Sequence, residues 1–410
     1  MIVETLSAQV PPSDYRTEQT QPSVVPQGII DQLRADIVSH FQQLRLPALN
    51  GSGNNGVMTK NGIRVSHSYQ RNEIFQHEYK VLNPKLKKLL PYFANGEDVN
   101  PSIIDPELVP AISQKFTGYL FRLATLFWSV PVSPGYGRRI RFLVMDRSNG
   151  KLIGIFALGD PVFNLKCRDQ LIGWNQLDRR SRLVNVMDAY VVGAVPPYNQ
   201  LLGGKLVASL MCSQEVNRFF MERYKNSEGV ISGEKKSPRL TLITVTSALG
   251  RSSLYNRLKL IQGDKTLINF KKIGETSGFG HFQISNELFE RMRALLALES
   301  HSYANGHQFG QGPNWRLRVT RVGLKRLGLD EDLVHHGINR EVYASPLAEN
   351  FKEFLRGEIE QPDIKIYPAQ TIADAALHRW IIPRSISHPE WKNFRRDSLM
   401  EQLPKVEEIK

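Results

Sequence analysis

Between Val186 and Leu210 the chain reads Val-Met-Asp-Ala-Tyr-Val-Val-Gly-Ala-Val195-Pro-Pro-Tyr-Asn-Gln200-Leu-Leu-Gly203-Gly204-Lys205-Leu-Val-Ala-Ser-Leu. A buried strand gives way to a turn with two glycines and then to the first turns of an amphipathic helix. Glycine leaves backbone N–H groups uncovered, and the positive end of the helix dipole lies behind them. Such a turn suits an anion, and a phosphate group is its natural occupant. Val195, Gln200, Gly203, Gly204 and Lys205 are the residues that would wall it.

A second set of residues has the composition of a nucleic-acid surface. Lys166, Arg168 and Trp174 precede the run Arg179, Arg180, Arg182, and Arg138, Arg139 and Arg251 lie in neighbouring motifs. An indole plane can stack on a base, and guanidinium groups bind phosphate. A buried Trp beside a solvated arginine face is the competing reading. Asp188, Asp160 and Asp169 are the carboxylates near the predicted sheet edge. Each is a candidate base, or a structural partner for one of the arginines. His335 and His336 are adjacent, so on a helix they point about 100° apart and do not suggest a metal pair. Asp363 and Lys365 resemble a nuclease element only superficially, and no metal site is expected.

The chain of 410 residues is too long for one ordinary core, and 41% hydrophobic residues can support two or more packed units. No apolar run approaches the ~20 residues of a membrane span, and residues 1–27 lack the features of a signal peptide, so a cytoplasmic location is expected. Two cysteines, Cys167 and Cys212, do not make a disulfide framework. The net charge of +13 is unevenly spread. Residues 1–110 hold 10 basic and 11 acidic side chains, 111–290 hold 25 and 13, and 291–410 hold 18 and 16. The middle region therefore carries the positive field and also the glycine turn, which points to a polyanionic partner, either a phosphorylated cofactor, nucleic acid, or both, with DNA the expected nucleic acid.

Four zones follow from the patterning. Residues 1–27, rich in Ser, Pro, Gln and Thr, read as a disordered tail. Residues 28–115 read as a helical N-terminal region: Ile29, Ile30, Leu33, Ile37, Phe41 and Leu44 recur at helical spacing, a Gly- and Asn-rich connector spans 50–62, and 69–93 is helical again until Asn95-Gly96. Residues 116–290 read as a mixed α/β core, a mixed sheet with flanking helices. Its strands fall at 139–146, 151–158, 186–195, 239–246, 267–273 and 281–284, with a short helix at 252–258. Residues 291–410 read as a helical C-terminal domain, opened by a loop over 301–314.

That order, with a glycine turn after the third core strand and a tyrosine after the fourth, resembles the GNAT acyltransferases. Gln200, Gly203 and Lys205 fall on the family's signature Gln/Arg-x-x-Gly-x-Gly/Ala, with Lys205 where a small residue is usual. The resemblance implies acetyl-coenzyme A or a related thioester as cofactor, its pyrophosphate cradled by the turn, and Tyr255 as the acid that protonates the leaving thiolate. The family's usual glutamate base is missing from the strand.

Several less common motifs, in order, resemble the Druantia anti-phage defence family. They are Pro131–Arg139, Asn164–Asn175 with Arg179–Arg182, Ala248–Arg257, His335–Tyr343 and Pro346–Asn350. This resemblance covers about residues 115–400. It implies a defence role and partner subunits that include a helicase-like protein. Two functions follow: an acyl-type transferase acting on or near nucleic acid, or a non-enzymatic binding and scaffolding subunit on a degenerate GNAT fold.

Overall fold

The computed structural model describes residues 25–49, 59–132, 137–228, 235–236, 238–276, 278, 280–306 and 313–404. The tail up to residue 24, the connector at 50–58, residues 133–136 and residues 307–312 lie outside them. The strands are β1 (Pro106–Pro110), β2 (Arg139–Asp146), β3 (Lys151–Gly159), β4 (Val186–Ala194), the two-residue pair β5 (Ser227–Glu228) and β6 (Lys235–Lys236), β7 (Leu242–Thr246), β8 (Lys259–Gln262), β9 (Lys265–Asn269), β10 (Lys271–Glu275) and β11 (Glu341–Pro346). Seven of them form one mixed sheet in the order β1-β2-β3-β4-β7-β11-β10, flanked by helices. The fold is therefore mixed α+β, as expected.

All neighbours in that sheet run antiparallel except β4 and β7. The β2–β3 hairpin turns where Arg147–Gly150 predicts it, with Gly150 at φ +71°, a conformation that glycine adopts without steric cost. Alternation along β2 sends Ile140, Phe142 and Val144 to one core and Leu143 to another. The first core also takes Leu206, Val207 and Leu210 of helix Gly203–Leu210, Val216 and Phe220 of helix Gln214–Tyr224, and Ile372 and Ala376 of the helix Ala369–Ala376. The second packs helix Phe116–Thr125 against Leu152 and Ile155.

The described chain forms two compact units, one of residues up to Ile37 with Asn286–Glu331, the other of Val38–Ser285 and the chain from Asp332 onward. In the first, helix Asn286–Leu298 packs on helix Pro313–Arg326 so closely that a Cβ on Gly323 would meet Met292 at 2.9 Å. The sheet lies in the second.

Three sequence expectations need correction. Residues 252–258 form turns rather than a helix; Ser252 Oγ caps the first of them, accepting the N–H groups of Leu254 and Tyr255, both at 3.1 Å. Residues 281–284 are a turn and no strand, while 259–269 form the hairpin β8–β9 around Gly263. The C-terminal region is not wholly helical: Glu341–Pro346 inserts into the sheet between β7 and β10.

One buried carboxylate ties the hairpin to the glycine turn. Asp146, fully enclosed, accepts from Asp105 N–H at 3.0 Å, from Ser148 N–H at 3.0 Å and Oγ at 2.7 Å, and from the Tyr198 hydroxyl at 2.8 Å. Asn149 Nδ2 donates to the same hydroxyl at 2.9 Å. Removing that hydroxyl leaves a charged acceptor short of a donor, so Tyr198→Phe is expected to lower stability by about 1–3 kcal/mol in a urea titration. An unchanged midpoint would show that the bond adds nothing.

Candidate functional site where two parallel strands part

The parallel pair is short. Only Val186, Met187 and Asp188 of β4 oppose Leu242, Ile243 and Thr244 of β7, although β4 continues to Ala194. Beyond the point of parting, the turn after β4 and the loop after β7 enclose a cleft of about 630 Å³. It is lined by Lys60, Asn199, Leu202, Gly204, Lys205 and the stretch Arg251–Leu254 with Asn256 and Arg257. Four cations and no carboxylate stand among these lining residues. Burial first, then the charges of Arg379 and Arg257, hold the Lys205 ammonium below the ordinary lysine value. Crowded like charges of this kind favour an anion that would relieve them.

The two glycines have different tasks. A Cβ at Gly203 would lie 2.6 Å from the Tyr198 carbonyl oxygen, so this residue permits the tight turn and faces backbone. A Cβ at Gly204 would meet only Leu254 Cδ1, at 3.5 Å, and Gly204 is the glycine that opens on the cleft. Leu202, the helix N-cap, sits in the left-handed region at φ 61°, ψ 21°, and supplies no side-chain cap. A leucine held there is strained, and two N–H groups of the helix's first turn are taken by backbone, Gly203 N–H donating to the Tyr198 carbonyl and Lys205 N–H to the Leu202 carbonyl, both at 2.9 Å. Val195 is buried beneath the turn, its N–H donating to Ile153 O at 2.9 Å. Gln200 is exposed and does not line the cleft, and its carbonyl accepts from Arg384 Nε at 3.2 Å.

The carboxylates separate by environment. Asp160 is bound to Arg138, with 2.7 Å between Oδ1 and Nη2, and it also accepts the Arg138 N–H at 2.8 Å. Asp169 bridges Arg168 at 2.7 Å and Arg179 at 2.6 Å. Asp188 is different: it belongs to the last pair before β4 and β7 part and accepts from Thr244 Oγ1 at 2.7 Å. Burial pushes its carboxyl up to about 6, against the lowering effects of that bond and of the Arg168 charge. Tyr255 is buried against the rings of Phe270 and Tyr343, at 5.8 and 5.6 Å. Its phenol is pushed up by burial and by the nearby Asp188 charge, and so stays protonated. The Asp188 charge, at the end of the parallel pair, thus reaches the Tyr255 phenol.

The basic residues separate as well. Arg168 is fully enclosed, its donors directed to Asp169 and to the carbonyls of Val162 and Phe163. Trp174 is buried, with Nε1 donating to the Leu355 carbonyl and the Arg168 guanidinium 5.4 Å from its ring centroid. Arg138 is held by Asp160 and the Val184 carbonyl, Arg139 is half-buried at the start of β2, and Arg182 lies over the Phe354 ring at 5.5 Å. Lys166, Arg180 and Arg251 are exposed. A smaller cleft of about 360 Å³ gathers Asn164, Lys166, Asp169, Gln170, Trp174 and Arg179. Among the described residues no three His, Cys, Asp or Glu side chains form a group that could hold a metal ion. Local reading of the sequence missed Lys60, Asn199, Asn256 and Arg257 as cleft residues. The pair Ser252-Ser253 beside Arg251 was a usable signal, and Lys60, far away in the chain, gave none.

A raised folded-state carboxyl pKa means that the folded protein holds the proton more tightly than the unfolded chain does. The contribution of Asp188 is therefore fully present below about 4 and is lost as pH rises through about 6. Asp188→Asn is expected to raise stability at pH 7–8 by about 1–3 kcal/mol and to leave it unchanged near pH 4. Thermal unfolding of both proteins at the two pH values checks this, and a destabilised variant at pH 8 would refute it.

The sequence matches the family described as Druantia protein DruA over residues 57–357. A relative from Escherichia coli (strain UMEA 4076-1), described as Druantia protein DruA, is 48% identical over 375 residues, which cover 90% of this chain and 91% of the relative. No solved structure matches significantly. A match across most of the chain, including both walls of the cleft, places this protein in the DruA family of Druantia proteins.

Proposed function

We propose that this protein serves Druantia anti-phage defence as a GNAT-like acyl-type transferase that takes its donor from a coenzyme A thioester and works on or near nucleic acid. The observation that carries this reading is the parting of β4 and β7, the parallel pair of the seven-stranded sheet, before the two connections that line a cleft with four cations. Parallel strands that separate expose unmatched backbone donors and acceptors, to which an extended amide-bearing arm can add as a strand does. The donor supplies a thioester, whose carbonyl is open to a nucleophile and whose sulfur leaves as a thiolate.

The chain's own groups divide the work. Lys60, Lys205, Arg251 and Arg257 hold phosphates at the cleft mouth, and Gly204, with no side chain, leaves them room beside the N-terminal end of helix Gly203–Leu210. Asp188, near its own pKa at neutral pH, takes the proton from the acceptor's amine or hydroxyl. Tyr255, kept protonated, gives its proton to the departing sulfur. Asp160 and Asp169 neutralise arginines and are not part of this proton path. DNA is the nucleic acid favoured, and other Druantia subunits, a helicase-like protein among them, are the protein partners.

The non-enzymatic alternative, a degenerate GNAT fold that recruits nucleic acid or partner subunits, draws support from Lys205 at the signature's small position and from the burial of Tyr255. Calorimetry with acetyl-coenzyme A separates the two. The wild type is expected to bind, and Gly204→Trp to bind at least tenfold more weakly with unchanged thermal stability. Gly203→Ala is expected to lose stability itself, because its Cβ collides with backbone. Tyr255→Phe is expected to bind normally and release thiol more slowly, with DNA, RNA and partner subunits offered as acceptors. Absence of heat with the wild type would leave the scaffolding reading.

A further inference from the structure

Arg138, Arg168 and Arg179 of the core are committed within the fold, and another element carries a cationic face that the proposed chemistry does not use. From Ser300 to Leu329 the sequence has no carboxylate, while Arg316, Arg318, Arg321, Lys325 and Arg326 all fall in the helix Pro313–Arg326. Its inward face is Val319, Thr320, Gly323 and Leu324, all buried. Arg318, Arg321 and Lys325, at i, i+3 and i+7, share the opposite face, with Arg318 and Lys325 exposed. They span roughly 10 Å along the axis at about 1.5 Å per residue.

Neighbouring side chains shape this face. Arg318 Nη1 donates to the Tyr303 hydroxyl at 3.5 Å, and its guanidinium lies 6.0 Å from the Tyr303 ring centroid. The Tyr303 carbonyl in turn accepts from Trp315 Nε1 at 2.7 Å, which fixes the preceding loop to the helix. Two acids of the same unit are held by cations of another helix, Asp36 by Arg291 and Glu290 by Arg293, both at 2.7 Å, whereas Glu299 pairs with Arg326 of this one. Helix Pro313–Arg326 thus carries five cations and no carboxylate of its own.

We infer that this face of helix Pro313–Arg326, with Arg318, Arg321, Lys325 and the Tyr303 hydroxyl, binds the phosphate backbone of a nucleic-acid duplex. A protein partner fits less well, because such interfaces have an apolar centre and no large apolar side chain of this helix is exposed. Contacts to phosphate from arginine, lysine and tyrosine hydroxyl groups position a protein without reading sequence. The binding is therefore expected to be insensitive to base sequence and steeply dependent on salt. This inference stands apart from the cofactor cleft.

The test is fluorescence anisotropy of the full chain with labelled duplex DNA across a salt series. Replacing Arg318, Arg321 and Lys325 together by Gln keeps good helix formers in place and removes three charges. Binding is expected to weaken at least tenfold, and the log–log salt slope to become shallower by roughly 2–3, at about 0.9 for each phosphate no longer neutralised. The triple variant Lys80→Gln, Lys87→Gln, Lys88→Gln, which removes the same charge from positions elsewhere, is expected to keep the wild-type slope. Gly204→Trp is expected to bind DNA normally, so failure of the cofactor reading and failure of this one are distinguishable. A helix variant that is folded and keeps the wild-type slope and affinity overturns the inference. So does a wild type that binds no duplex at low salt, or a helix variant that loses only a protein partner.

Discussion

The parallel pairing of β4 with β7, three residues long, governs the arrangement of the seven-stranded sheet. Antiparallel neighbours can be joined by tight turns, but β4 and β7 run the same way and need a crossover. That crossover is helices Gly203–Leu210 and Gln214–Tyr224 with the small β5–β6 pair, and it places the glycine turn at the end of β4 where the loop after β7 also emerges. The cleft is the space between those two connections. Without the parallel step the cations of the turn and of the Arg251–Arg257 loop would have no reason to meet.

Rigid anchoring of the turn comes from the other side of β4. Asp146 holds the hairpin tip and the Tyr198 hydroxyl in one enclosed hydrogen-bond network, while Gly203 lets the chain pass close to the Tyr198 carbonyl. The left-handed Leu202 is tolerated because both of its flanks are fixed. Stability invested around the turn is what permits a crowd of positive charges to stand there unneutralised by any lining carboxylate.

Arginine serves two ends in this chain. Arg138, Arg168 and Arg179 bind Asp160 and Asp169 and staple loops to the sheet. Those staples use the charges that composition alone would assign to nucleic acid. Other cations stay outward, Lys166 and Arg180 beside those staples and others at the cleft mouth and along one face of helix Pro313–Arg326, so the net charge of a segment does not by itself say where a polyanion would sit. Asp188 is the contrasting carboxylate: it is held where ionisation is costly, at the point where the parallel strands part, and this sets it apart from the paired acids.

Local patterning determined the β2–β3 hairpin, the strand-turn-helix around Gly203, helix Asn286–Leu298 and the mixed character of the fold, because period, turn residues and branched side chains act over a few neighbours. It also singled out Gly204, Lys205, Arg251, Asp188 and Tyr255 as residues of interest. Tertiary structure decided the rest. Glu341–Pro346 is a strand only because β7 and β10 leave a place between them, and 252–258 stays in turns although Ser252 caps its first N–H groups as it would those of a helix. Lys60 reaches the cleft from a distant helix, Arg168 and Trp174 are taken into the fold by Asp169 and the Leu355 carbonyl, and Asp188 differs from Asp160 by its partners rather than by its sequence surroundings. Each of these depends on which distant groups meet, and chain-local chemistry carries no record of such meetings.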